Sequence, residues 1–166
     1  EFLQVKREGD FVYSNGVGRD WNRRAIFTID TSDVQGVDFT NVKLKLCFGN
    51  TKIGYVSLTN GTDFVVYGLV DESGDDWNPE NVDWSFTGDR ADDFVDNARF
   101  TPVAEFSIER GVVEKTVVLS DPRLDKFIRA DTNGLATFIV EAANVPQAPS
   151  SYSYVYGIAG SKRQTQ

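Results

Sequence analysis

Apolar and polar residues alternate with a period of two along most of this chain, and this pattern constrains the fold more than any other feature. The alternation, which is rich in β-branched and aromatic residues, marks eight segments: 2–6, 24–29, 42–48, 63–70, 103–108, 114–119, 135–141 and 152–158. Successive side chains of a strand point to opposite faces, so each segment predicts a strand with one buried face. Turn-forming Asn-Gly pairs lie between several of them. We therefore predict an all-β fold, an antiparallel β-sandwich of jelly-roll type.

One short helix is expected to interrupt the strands. Asp121 can cap its first turn and Pro122 suits its first helical position. The apolar residues Leu124, Phe127 and Ile128 then fall on one face of the helix. The Asn-Gly pair that follows in the sequence is expected to end it.

Length and composition indicate a single domain over residues 1–166. With 40% apolar residues, the chain is long enough to bury one full core. It has no run of about twenty apolar residues, so we expect no insertion into a membrane. The formal net charge of −8 repels phosphate groups, which disfavours nucleic acids and anionic membrane surfaces as partners. Because the chain contains no Met, we expect a mature form or an excised fragment of a longer protein.

The net negative charge is concentrated between residues 63 and 96, where eleven acidic residues are accompanied by one basic residue, Arg90. Calcium takes six to eight oxygen atoms from carboxylates, carbonyls and water, and this stretch can offer them. The candidate ligands of a structural Ca²⁺ are Asp71, Asp75, Asp76 and Asp83. Their spacing is not that of an EF-hand. In the alternative interpretation these acids are solvated in a loop and bind nothing.

The absence of histidine argues against catalysis. Without it, triads of the Ser-His-Asp or Cys-His type cannot form. A pair of carboxyl groups could still cleave a glycosidic bond. The acids at 71–76, however, lie in a polar segment, where solvent would keep them ionised and poor as proton donors. We therefore expect a protein that is not an enzyme.

The stretch LVDESGDDWNPENVDW (residues 69–84) leaves an apolar strand at Val-x-Asp and re-enters structure at Val-x-Trp. This order resembles the DNRLRE-domain family, which overlaps carbohydrate-binding module family ninety-six. The matching residues are Val70, Asp71, Trp77, Glu80, Val82 and Trp84, with Asp83 where the family usually has Thr. Upstream, VKREGDFVYSN and RRAIFTID match the family at Lys6, Arg24, Phe27 and Asp30. The resemblance spans most of the chain and implies an extracellular module with a helix over one open end of two sheets.

Basic residues near the start form the better binding candidate: Lys6, Arg19, Arg23 and Arg24. Antiparallel neighbours would bring Lys6 and Arg24 to one outward sheet face, and the resemblance implies that these two grip uronate carboxylates, as in alginate-binding members. A guanidinium binds a carboxylate or sulfate through two parallel hydrogen bonds. Arg23 and Arg24 cannot both face the ligand, since adjacent strand residues point to opposite faces. The alternative is a set of surface salt bridges of little energetic value.

Exposed aromatic rings are the second means of holding a sugar. Trp21 lies next to basic residues and is our first aromatic candidate. Tyr152, Tyr154 and Tyr156 share one strand face by alternation, so they form either a binding platform or a stripe of the core. The candidate ligand-binding set is Lys6, Arg19, Trp21, Arg24 and Tyr154.

These observations favour a non-catalytic carbohydrate-binding module of a larger, multidomain extracellular protein, secreted or at the cell surface. Its partner would be an extended, anionic polysaccharide, bound with an affinity of roughly micromolar to millimolar. The family usually has one further strand before the Val-Lys segment, which this sequence lacks. That departure supports an alternative, a structural or adhesive subunit that assembles into a fibre or matrix by strand donation, with or without Ca²⁺.

Overall fold

A computed structural model of the chain describes residues 2–6, 22–54, 61–78, 80, 82, 84–87, 95–143 and 154–160. Within them, eight strands form two four-stranded antiparallel sheets. The first sheet has the order β1 (Phe2–Val5), β8 (Tyr156–Ala159), β3 (Leu44–Gly49) and β6 (Lys115–Leu119). The second has the order β2 (Ala25–Asp30), β7 (Leu135–Ala142), β4 (Thr62–Leu69) and β5 (Phe100–Ile108).

The order of the strands is that of a jelly roll. Every connection except the one between β4 and β5 passes from one sheet to the other. All eight predicted strands are present, so the predicted all-β sandwich of jelly-roll type is confirmed. The largest differences are at strand starts: β5 begins three residues before the predicted segment, and β8 begins at Tyr156 rather than at residue 152.

The main core lies between the two sheets, where the alternating side chains of both meet. Phe64 of β4 stacks on Phe106 of β5, with ring centroids 4.9 Å apart. Tyr156 of β8 meets Phe64 edge-on at 5.1 Å, which joins the two sheets at the centre of the sandwich. Val5, Val66 and other core side chains are fully excluded from solvent.

The predicted helix is also confirmed. α2 (Pro122–Ala130) begins after Asp121, whose side chain accepts a hydrogen bond from the Arg123 N–H at 2.8 Å. Its apolar face is buried, with Leu124 fully excluded from solvent. Two 3-10 turns (Ser32–Val34 and Glu72–Gly74) and the short helix α1 (Trp84–Thr87) complete the described elements. No helix in this part of the chain is long and apolar enough to cross a membrane.

β1 pairs with β8, and its first side chain covers two glycines. Gly49 and Gly157 are register partners on β3 and β8, and the Phe2 side chain lies across both. A Cβ at Gly49 would stand 2.4 Å from a carbon of the Phe2 ring, well inside van der Waals contact. A side chain at this position would therefore displace the Phe2 ring.

The burial of α2 leads to a prediction about stability. Leu124→Ala should lower the free energy of unfolding by about 2–5 kcal/mol, because it leaves a cavity beside the main core. Leu135→Ala removes the same atoms from an exposed position and should cost less than about 1 kcal/mol. Urea unfolding of both variants measures the difference, and equal losses would contradict the placement of α2.

Candidate functional site

The outer face of the second sheet is covered by the chain that follows β4. Leu69 and Ile139 of this sheet pack with Val95 and Phe100 in a second buried apolar cluster, against which Phe86 also lies. The described residues that follow β4 therefore form a second layer over the sheet. We call the described residues between 71 and 99 the covering segment.

Polar contacts hold the covering segment in place. The Trp77 Nε1–H donates to Thr28 Oγ1 at 2.8 Å, and the Trp77 ring lies 6.2 Å from that of Phe86. Arg99 stacks over the Phe86 ring at 5.0 Å and donates to the Phe86 carbonyl at 2.9 Å. A polymer cannot lie flat on a sheet face that is occupied in this way.

Arg24 lies under this layer and not on an exposed strip. Its side chain is only 4% exposed, and both Nε and Nη2 donate to Glu141 Oε1, at 3.1 and 2.9 Å. Its Nη1 donates to Thr87 Oγ1 at 3.3 Å, which ties the sheet to α1. The prediction that Lys6 and Arg24 form an outward cationic strip is wrong, because Arg24 has turned to a buried carboxylate.

Arg23 is the residue that shares a face with Lys6. The two residues exchange both backbone N–H···O bonds, at 3.0 and 2.8 Å, in a bridge between the end of β1 and the start of β2. Directly opposed residues of antiparallel strands lie on one face. The Arg23 guanidinium donates to Gln4 Oε1. The sequence alone required that Arg23 and Arg24 point to opposite sides, but did not show which side was covered.

A groove of about 570 Å³ opens beside this bridge, between β1 and the edge of the covered sheet. Its described lining consists of Gln4, Asn22, Arg23, Arg24, Ile26, Val82 and Thr87. None of these lining residues is acidic, although the chain carries a net charge of −8. Guanidinium and amide groups bind carboxylates and hydroxyls, while Ile26 and Val82 offer apolar contact to C–H groups.

Of the other predicted ligand-binding residues, only Tyr154 is described, and it does not line this groove. Arg19 and Trp21 lie outside the described residues. Tyr154 is 3% exposed, and its ring packs edge-on against Tyr156 at 5.2 Å. The interpretation of Tyr154 as an exposed sugar platform is therefore wrong, and the alternative, a stripe of the core, is confirmed for Tyr154 and Tyr156.

The described members of the predicted calcium set, Asp71, Asp75 and Asp76, have different environments. The Asp71 carboxylate accepts from Ser73 N–H and Oγ–H, at 3.2 and 2.5 Å, and these hydrogen bonds lower the pKa of Asp71. Asp76 is exposed, and Asp83 lies outside the described residues. Among the residues that the structure describes, no three acidic, Cys or His side chains converge as metal ligands. Calcium binding stays a prediction.

Among the described acids of this group, Asp75 is the buried one, at 5% exposure. Its Oδ2 accepts from Asn133 Nδ2 at 3.2 Å, whereas Oδ1 makes no hydrogen bond. Burial raises the pKa of Asp75 above its ordinary value of 3.8, and the nearby Asp131 carboxylate acts in the same direction. The polar contacts with Thr137 and Asn133 oppose that shift without cancelling it.

Comparison with known proteins gave no match. The chain matches no model of a known protein family and no curated protein sequence. The resemblance to the DNRLRE-domain family therefore stays a prediction.

The different environments of the two arginines lead to a prediction. Glu141→Gln should lower the free energy of unfolding by about 3–5 kcal/mol, because it removes the charge of the buried carboxylate that accepts two hydrogen bonds from Arg24. Arg23→Ala at the groove should cost less than about 1 kcal/mol. Chemical denaturation compares the two, and a larger loss for Arg23→Ala would contradict the assignment of the buried pair.

The raised pKa of Asp75 predicts how stability depends on pH. The folded state binds the Asp75 proton more tightly than the unfolded chain does, so protonated Asp75 favours the folded state. This contribution to the free energy of unfolding is complete below pH 3.8 and is lost as the pH rises through the folded pKa. Asp75→Asn should remove this loss.

Unfolding curves of the wild type and Asp75→Asn, measured from pH 3 to pH 7, test this directly. The variant should be close to the wild type at the acidic end and more stable at pH 7. A variant that is less stable than the wild type at pH 7 would show that the ionised carboxylate stabilises the fold.

Proposed function

We propose that the protein is a non-catalytic carbohydrate-binding module that binds an extended, anionic polysaccharide in the groove beside the Lys6–Arg23 bridge. The observation that carries this proposal is the lining of the groove, in which Arg23 and two amides are brought together with no acidic side chain among the described residues, while Arg24 is paired with Glu141. Arg23 is the central binding residue, with Gln4 and Asn22 beside it.

The chemistry of Arg23 suits this ligand. Among the described residues its guanidinium contacts one side chain, the neutral Gln4, and no carboxylate. Its remaining N–H groups can donate two parallel hydrogen bonds to a uronate or sulfate group. Each charge-assisted hydrogen bond contributes roughly 1.5–3 kcal/mol, so a few of them support an affinity of roughly micromolar to millimolar after the cost of association.

The distribution of charge between the two sheets also favours an anionic ligand. The strands of the first sheet contain Lys45 and Lys115 and no acidic residue. Those of the second contain Asp30, Asp63, Glu105 and Glu141 and no basic residue. β1 belongs to the first sheet, so an anionic chain in the groove would extend over the less acidic side of the sandwich.

Binding without cleavage fits the described groove. A glycosidase needs two carboxyl groups on either side of the scissile bond, and the described lining has no acidic residue. A weak, repeated contact of this kind serves a module that keeps a larger extracellular protein near its polymer. The DNRLRE-like residues are consistent with that role, and the secreted or cell-surface location is part of the same proposal.

The proposal is tested by affinity electrophoresis in gels containing alginate, pectin, sulfated galactan or a neutral glucan. The wild type should be retarded by an anionic polymer and less by the neutral one. Arg23→Ala should weaken binding about 10–100-fold, the equivalent of one charge-assisted contact. Lys126→Ala, which removes the same charge from an exposed position on α2, should bind as the wild type does.

Retention of full affinity in a folded Arg23→Ala variant would remove the groove from the proposal. Failure of the wild type to bind any glycan, together with growth in light scattering on addition of Ca²⁺, would instead favour the self-assembling structural or adhesive subunit.

A further inference from the structure

A second cavity, of about 350 Å³, lies between α2 and the end of the sandwich where β2 ends and β3 begins. Its floor is part of the main core, formed by Leu44, Leu124, Ile128 and Phe138. It shares no lining residue with the groove at Arg23. An inference about this cavity is therefore independent of polysaccharide binding.

Hydrogen bonds to carboxylates in α2 and just after it fix two of the chain segments that form the walls of the cavity. The Asp125 carboxylate accepts from the backbone N–H groups of Asn41 and Val42, at 3.1 and 2.6 Å, which fixes the chain before β3. At the other end of α2, the Thr31 hydroxyl donates to Asp131, which fixes the chain after β2. Both flanking segments are thus tied to one helix, and the cavity is pre-formed.

The cavity opens to solvent, and most of its exposed lining surface is apolar. Water against the apolar floor has few polar partners. The volume is within the range of ligand pockets, about 300–1,000 Å³, which are mostly apolar and largely pre-formed.

The apolar floor of the cavity indicates a ligand without net charge. Asp30 accepts hydrogen bonds from the Ser32 N–H, at 3.0 Å, and from the Ser32 hydroxyl, and keeps its negative charge. With the exposed Asp33 and Lys43, the lining therefore carries one net negative charge, which disfavours an anion. Burying an unpaired charge of either sign on the apolar floor would be costly.

We propose that this cavity binds a small, uncharged aromatic compound. The rings of Phe39 and Phe138 line it and can meet an aromatic ligand edge-on or in an offset stack. Ile128 and Leu124 supply the apolar floor, and Val34 stands at the more exposed side.

The test uses the neutral fluorescent probe N-phenyl-1-naphthylamine with the folded wild-type chain. Its fluorescence should rise with a dissociation constant of roughly 10–100 µM, as expected for a ligand of this size. The anionic 8-anilinonaphthalene-1-sulfonate should bind at least about fivefold more weakly, because its sulfonate would be placed against an apolar floor. Equal or tighter binding of the anionic probe would overturn the assignment of an uncharged ligand.

Variants locate the probe. Ile128→Phe fills the floor and should weaken binding at least about tenfold, and Val34→Phe, at a more exposed position, provides the same test should the first variant not fold. Val118→Phe adds the same ring on the outer face of the first sheet, outside the lining, and should leave the affinity unchanged.

Cooperative thermal unfolding must be retained in each variant, since partly unfolded chains bind such dyes non-specifically. Absence of binding to the wild type, or unchanged affinity in a folded Ile128→Phe or Val34→Phe variant, would overturn the proposal.

Discussion

Burial of β7 on both of its faces is the constraint on which the rest of this structure depends. Antiparallel sheets commonly keep one face in water, but only the first residue of β7 is exposed. Its inner side chains, such as Phe138 and Val140, belong to the main core, while Ile139 on the other side belongs to the second cluster. The outer face also carries polar groups, which are satisfied by Thr28 and Arg24 on the neighbouring strand. The covering segment is therefore as much a part of the fold as the sheets.

This second layer determines where a ligand can bind. With one sheet face covered, Arg23 lies at the edge where β1 meets β2, and the groove forms between that edge and the layer. The side chain of Thr87 belongs to the layer, contacts Arg24 and also lines the groove. The proposed binding surface thus has one wall that exists only because the covering segment is docked.

The sequence predicted the elements well and the site only in part, for a physical reason. Alternation shows which side chains share a strand face, and it placed all eight strands. The helical spacing of Leu124, Phe127 and Ile128 placed the buried face of α2. It does not show what lies against that face, so Arg24 and Tyr154 were expected at a surface that the fold encloses. One signal was present: residues 136–140 are apolar except for one Thr. Such a run is typical of a strand buried on both faces. The partner of Arg24, nearly a hundred and twenty residues away, had no local signal.

The buried pair of Arg24 and Glu141 also constrains how the sequence can evolve. Neither residue can be exchanged alone without leaving a charge in the interior, so a lineage passes from this pair to another only through coupled substitutions. Chains that share the fold should therefore show joint variation at these two positions, as two opposite charges or as two apolar residues. Such covariation would allow distant relatives to be recognised after the overall sequence similarity has disappeared.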